Sequence, residues 1–151
     1  MQDRAVTRYL LDATIISDVT RPVPSESLVA WMAERVDEEL FIASLTVAEI
    51  RRGILEKPAG KKRDQLDAWF SGPEGPPALF AGRVLPFDEK AGLVWARLMA
   101  EGTATGRPRD ALDTIIAAVA EANDCVVVTD NASDFAGIEV INPLRSGGRG
   151  S

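Results

Sequence analysis

Cys125-Val126-Val127-Val128-Thr129-Asp130 is an unbroken apolar run that ends in a hydroxyl and an acid. A half-exposed strand alternates apolar with polar residues, whereas a strand covered on both faces does not. Residues 126–129 are therefore read as a strand buried on both sides, with Asp130 and Asp134 just beyond it. Working outward, Tyr9-Leu10-Leu11 is a second short apolar run closed by an acid, Asp12, and Leu40-Phe41-Ile42-Ala43 is a third. Arg83-Val84-Leu85-Pro86 reads as a short extended piece and Val140-Ile141 as a last strand.

Helical patterns lie between these runs. Residues 13–19 start a short helix. Ser25 is the expected cap of a helix to about 36, with Leu28, Val29, Trp31, Met32 and Val36 on its apolar side. Thr46-x-x-Glu49 has the form of a capping box opening the next helix. Further helices are predicted over about 61–70, from an Asp88 cap to about 101, and from an Asp110 cap to about 122. The last of these should bury Leu112, Ile115, Ile116 and Val119. Gly/Pro-rich 72–77 and 102–109 read as loops. Alternating strands and helices predict an α/β fold with a mostly parallel central sheet of four to five strands flanked by helices. No repeat or linker divides the chain, so one domain over 1–144 and a flexible Gly-rich tail at 145–151 are expected.

Composition narrows the chemistry. The 151 residues contain no histidine, which excludes Ser-His-Asp and Cys-His hydrolases and histidine zinc sites. A single cysteine, Cys125, allows no internal disulfide and fits a reducing, cytoplasmic setting. No run approaches the ~18 apolar residues of a membrane span, and the first residues mix acid with base rather than forming a signal run. The net charge of −6 argues against nucleic acid as partner. Two local basic clusters argue the other way: Arg51, Arg52, Lys57, Lys61, Lys62 and Arg63 within thirteen residues, and Arg107 with Arg109.

The acids carry the functional reading. Asp12 follows the first strand, Glu49 lies in the helix after the second, and Asp130 and Asp134 follow the Val-rich strand. Asp113 lies in the first turn of the helix before that strand. A parallel sheet gathers such positions at its carboxyl edge, where ligands bind. Each acid also has a structural account: Asp12 as a cap, Glu49 as the partner of Thr46, Asp113 as the third helical residue, Asp130 and Asp134 as turn residues. Clustered carboxylates repel and raise one another's pKa, a cost that a divalent cation reverses. Without histidine, such a cluster points to a hard cation, Mg²⁺ or Mn²⁺, activating water against a phosphorus centre. Two other carboxylate chemistries fit less well. A phospho-acceptor receiver domain needs a late lysine, and none follows Lys90; an aspartate-nucleophile phosphatase wants an acid where Thr14 stands.

Several segments also resemble one family. Leu10-Leu11-Asp12-Ala13-Thr14-Ile15-Ile16-Ser17-Asp18, Ser44-Leu45-Thr46-Val47-Ala48-Glu49-Ile50-Arg51-Arg52-Gly53, Arg83-Val84-Leu85-Pro86-Phe87-Asp88, Asp113-Thr114-Ile115-Ile116-Ala117-Ala118, Val128-Thr129-Asp130-Asn131-Ala132-Ser133-Asp134-Phe135 and Asn142-Pro143 resemble, in order and spacing, the motifs of VapC-like PIN-domain ribonuclease toxins. The resemblance implies a PIN-like fold and a metal-dependent endoribonuclease, the toxin of a VapBC-type toxin–antitoxin module. It implies Asp12, Glu49 and Asp113 as catalytic and metal-holding acids, and Thr129, Thr14, Ser17 and Arg51 as substrate-positioning residues. The family's fourth acid aligns with Asn131, so Asn131 acting through water, or Asp134 or Asp130 in its place, is the expected fourth position; Asp134 is otherwise a cap before Phe135. Ala13 and Thr14 depart from the usual Thr and Asn, which leaves a weakened scaffold that binds RNA or protein without cleavage as the alternative. The resemblance further implies a VapB-like antitoxin whose basic segment covers the acidic groove, and a homodimer. Trp31, Trp69, Phe70 and Trp95, if left on the surface, would supply the dimer contact.

Overall fold

Five short strands, β1 (Arg8–Leu11), β2 (Leu40–Ala43), β3 (Val84–Leu85), β4 (Cys125–Val128) and β5 (Val140–Ile141), form one parallel sheet in the order β3-β2-β1-β4-β5. The computed structural model describes residues 7–135 and 137–144; the tail expected at 145–151 lies outside them. The unbroken apolar runs have the predicted cause. Leu10 pairs with Val127 and Leu11 with Val128, and all four are fully buried. Leu10 and Val127 enter a core with α6 (Glu89–Ala104) and α7 (Ala111–Ala122) on one face of the sheet. Leu11 and Val128 enter a second core with α1 (Ala13–Val19) and α2 (Glu26–Ala33) on the other. Each such side chain contributes roughly 1.5–3 kcal/mol on burial.

The chain winds outward from β1 through β2 to β3, then returns to place β4 and β5 on the other side of β1. Winding therefore reverses between β1 and β4, and a crevice opens beyond their carboxyl ends. Asp12 and Thr129 are the first residues past those two strands.

Three helix starts and ends differ from expectation. α3 (Ser44–Leu55) begins two residues before Thr46, with Ala43 as its cap residue, so the Thr46–Glu49 box does not form. β2 runs straight into the helix, Thr46 is fully buried with an unbonded hydroxyl among the described residues, and Glu49 is released from a capping role. α2 ends at Ala33, because Val36 enters a 3-10 turn (Asp37–Glu39) and gives its N–H to Glu39. Val36 is consequently exposed, and Val29, within α2, lies on the face away from buried Leu28 and Trp31 and is exposed as well. α6 runs on to Ala104, beyond the expected end, since Gly102 lets the following loop pack against the helix. α4 (Lys61–Ser71) falls where predicted, and a short α5 (Pro76–Leu79), with proline in its first turn, replaces part of the expected 72–77 loop. Leu112 is exposed rather than buried, because it lies in the first turn of α7 at the rim of the crevice.

Of the four aromatics offered for a dimer surface, Trp31 is buried, whereas Trp69, Phe70 and Trp95 stay partly exposed. Trp31 is buried edge-to-face against Tyr9, Trp69 packs against the second core, and Trp95 donates its Nε1–H to the Ala111 carbonyl. Phe70 lies beneath the Arg51 guanidinium. Among the described residues no helix is long and apolar enough to cross a membrane.

Ser25 occupies the predicted cap position, but its side chain does not cap α2. Its hydroxyl and its backbone N–H both donate to buried Asp18, at 2.8 and 2.9 Å, and Arg21 adds a 3.0 Å contact. The backbone N–H of Ser25 above all, then its hydroxyl and Arg21, hold the Asp18 carboxyl below its usual range against the opposing effect of burial. Asp18 thereby ties α1 to the start of α2. Asp18→Ala is expected to cost roughly 1.5–3 kcal/mol, the worth of hydrogen bonds to a charged group. A carboxyl whose folded pKa lies below its unfolded one stabilises fully above the unfolded value and loses that contribution as pH falls through the folded one. Urea melts should show the gap between the two proteins closing in acid; a gap independent of pH would contradict this role.

Candidate active site

Asp12 is held in place by the end of β4 and by the first turn of its own helix. Its backbone N–H donates to the Val128 carbonyl at 2.9 Å, where β1 meets β4. One carboxylate oxygen, Oδ1, accepts the Ala13 N–H at 2.8 Å; the other, Oδ2, accepts the Thr129 hydroxyl at 2.8 Å. Thr129 is itself fully buried, and its Oγ1 accepts the Asn131 N–H at 3.0 Å. A hydroxyl that receives one N–H has its own proton directed elsewhere, here at Asp12. Thr14 stands 3.5 Å from the same Oδ2 and accepts the Asp130 N–H at 3.3 Å. Behind this loop, buried Asn142 donates to the Asp130 carbonyl and accepts the Leu144 N–H.

Glu49 and Asp113 reach the same crevice from α3 and α7. Burial raises the Glu49 pKa first, and the charges of Asp12 and Asp113 raise it further, with Arg52 opposing and Asp110 adding a little. Asp113 is raised by burial, then by Asp110, Asp134 and Asp12. The charge of Asp12 acts on both, Asp113 acts on Glu49, and Asp134 acts on Asp113, so acids from four chain segments lie within electrostatic reach. Asp110 was legible only as a cap. It is one, accepting the Asp113 N–H at 2.9 Å, yet it also adds negative charge to both acids. An acid one helical turn from a candidate ligand was the available signal.

The other expected site residues divide. Asp134 makes no capping hydrogen bond among the described residues; it lines a cleft of about 740 Å³ together with Asp113, Asp110, Glu101, Arg107 and Arg109. Asn131 is exposed and enters the network through its backbone N–H. Asp130 likewise contributes backbone groups. Ser17 borders a groove of about 340 Å³ on the other side of the acids, with Glu49, Ile54, Leu66 and Trp69. Arg51 does not face the substrate side: its guanidinium pairs with Asp67 of α4 and covers Phe70. The interhelical contact between α3 and α4 outcompetes the crevice for its charge.

Among the described residues, no three acidic or thiol side chains form a closed metal cage. The donor chemistry nonetheless fits a hydrated hard cation. Mg²⁺ keeps several waters and takes only one or two carboxylates, with substrate phosphates completing its shell. Asp12 presents an immobilised oxygen, and its charge adds to burial in raising the pKa of both Glu49 and Asp113, a crowding that a cation would relieve.

The PIN domain family model matches residues 9–139. The chain is 40% identical to VapC ribonuclease Y4jK of Sinorhizobium fredii, covering 89% of this chain and 96% of that protein. It is 36% identical to toxin FitB of Neisseria gonorrhoeae, again over 89% of this chain and 96% of the other. Among solved structures, a chain of FitAcB from Neisseria gonorrhoeae superposes with a TM-score of 0.82 and 35% identity, covering 91% of this chain and 99% of that one.

Proposed function

This chain belongs to the PIN-domain family, and on that premise we propose that it is a Mg²⁺- or Mn²⁺-dependent endoribonuclease, the toxin of a toxin–antitoxin pair. The observation that carries the reading is an Asp12 carboxylate locked by Thr129, with Glu49 and Asp113 brought from other elements close enough that its charge helps raise the pKa of both. A divalent cation, when bound, supplies the positive charge these acids lack and the Lewis acidity that eases attack on phosphorus. Asp12 and Asp113 hold it, with Asp134 the better placed of the two candidates for a further position because it shares the cleft with Asp113. Glu49, with its raised proton affinity, accepts at a carboxylate oxygen the proton that an attacking water loses. Thr129 keeps Asp12 from rotating, and Thr14 ties the Asp130 turn to the end of β1.

An antitoxin is the partner that the net charge favours. A basic segment laid in the cleft would place a cation where the divalent ion belongs, which steers association and inhibits at once. The purified chain should cleave single-stranded RNA with Mg²⁺ or Mn²⁺, lose that activity in excess chelator, and regain it on resupply. Cleavage that persists in chelator removes the metal from the reading. A chain that binds RNA but never cleaves it supports the weakened-scaffold alternative, for which the Ala13 and Thr14 departures are the motive.

A further inference from the structure

The two basic clusters of the sequence have different fates in the fold. In the first, Arg51 pairs with Asp67, Arg52 with Glu56, and Arg63 bonds the Lys57 carbonyl. In the second, Arg107 is exposed, forms no ion pair among the described residues, and lines the 740 Å³ cleft beside Asp113 and Asp134.

The position of Arg107 is built rather than incidental. α6 ends at Ala104, Gly106 reverses the chain with φ +75, and the Arg107 N–H returns to the Gly102 carbonyl at 2.8 Å. A Cβ at Gly102 would stand 2.8 Å from the Arg107 carbonyl oxygen and 3.0 Å from Arg109 Cγ. Glycine at 102 is therefore what lets the loop lie flat on the helix. Arg109, partly buried, extends across to the Gly137 turn, where its Nη2 would be 3.6 Å from an added Cβ. The loop is pinned at both ends, and Arg107 is carried at the cleft mouth between them.

A phosphodiester substrate approaching this cleft meets Glu101, Asp110, Asp113 and Asp134, all of its own sign. Asp113 and Asp134 are offset by the cation assigned to them above; Glu101 and Asp110 are left to repel the strand. A guanidinium free of protein carboxylates at that rim has a planar donor fork suited to a phosphate. Resting on the nuclease reading above, we propose that Arg107 binds a backbone phosphate of the RNA strand flanking the one cleaved, on the Asp113 side of the acids, with Arg109 bracing the loop that presents it. Arg107 is then a substrate contact, reading backbone and not base identity.

Salt dependence isolates this role. Binding of poly(U) is measured across a range of NaCl concentrations for the Asp113→Asn chain, used to prevent cleavage, and for the same chain carrying Arg107→Gln. For single strands, each phosphate contact contributes about 0.7 to the slope of log K against log salt. Arg107→Gln should flatten the slope by about that amount, Arg107→Lys should retain most of it, and Arg97→Gln should leave it unchanged. Arg97 pairs with Glu121 at the far end of α7 and serves as the control for net charge. In the cleavage-competent chain, Arg107→Gln should raise KM with kcat nearly intact. A slope identical with and without Arg107, in a chain that binds and cleaves RNA, overturns the proposal alone. A chain that neither binds poly(U) nor cleaves RNA overturns the nuclease reading and this proposal with it.

Discussion

Asp113→Asn should abolish most RNA cleavage, because a charged ligand of the cation becomes a neutral amide, and should raise the melting temperature of the metal-free protein. The two effects share one cause. Asp113 is surrounded by burial, Asp110, Asp134 and Asp12, each of which disfavours its charge. Its folded pKa lies above its unfolded one, so its contribution to stability is complete below the unfolded value and is lost as pH rises through the folded value. At neutral pH the ionised group is a burden on the fold, and the isosteric amide removes it. The position in the first turn of α7 works the other way, since an anion there gains about 0.3–1 kcal/mol from the helix dipole. The net elevation of the pKa means that burial, with the repulsions added, outweighs that gain. Mg²⁺ should raise the melting temperature of the unsubstituted chain clearly and that of the variant little. A variant that melts lower than the parent without metal, or that cleaves at the parental rate, contradicts the assignment.

Thr129→Val should be costly in both stability and activity. The side chain is fully buried at the junction of β1 and β4, so the isosteric replacement leaves packing nearly intact and removes one hydroxyl. Asp12 Oδ2 then loses its 2.8 Å donor, and the Asn131 N–H loses its acceptor. Asp12 is half-buried and Asn131 exposed, so water takes up part of the lost pairing and the cost is about 0.5–1.5 kcal/mol. Freed to rotate, Asp12 would present its oxygen in several directions, and a misplacement near 1 Å is enough for roughly 10²-fold in rate. Thr129→Ser keeps the hydroxyl and should restore cleavage and most of the stability. Equal activity in the valine and serine variants would show that Thr129 serves packing alone.

Much of this was legible before any tertiary structure. Apolar runs without alternation marked β1, β2 and β4 because strands covered on both faces have no polar side to display. The termini of α1 and α7 were readable because Asp12 and Asp110 cap them through contacts one to three residues away. The gathering of Asp12, Glu49 and Asp113 was expected from a rule of parallel sheets, and the charge of Asp12 reaches both of the other acids.

What stayed hidden depended on partners distant along the chain. Ser25 has the chemistry of a cap, yet buried Asp18 offers its hydroxyl a charged acceptor that a helix N-terminus cannot match. Arg51 sits in a basic cluster aligned with the site, yet Asp67 on the neighbouring helix takes its charge, and Arg107 in the lesser cluster is left facing the cleft. Thr46 and Glu49 spell a capping box, but β2 hands directly into α3, so the box falls inside the helix and Glu49 is left for the crevice. Local periodicity and capping act over a few residues, and the sequence alone was sufficient to determine them: the strands, the main helices and the edge of the sheet where the acids gather. Which polar groups face one another across that edge is a competition among partners more than a dozen residues apart, and only the packed tertiary structure decides it.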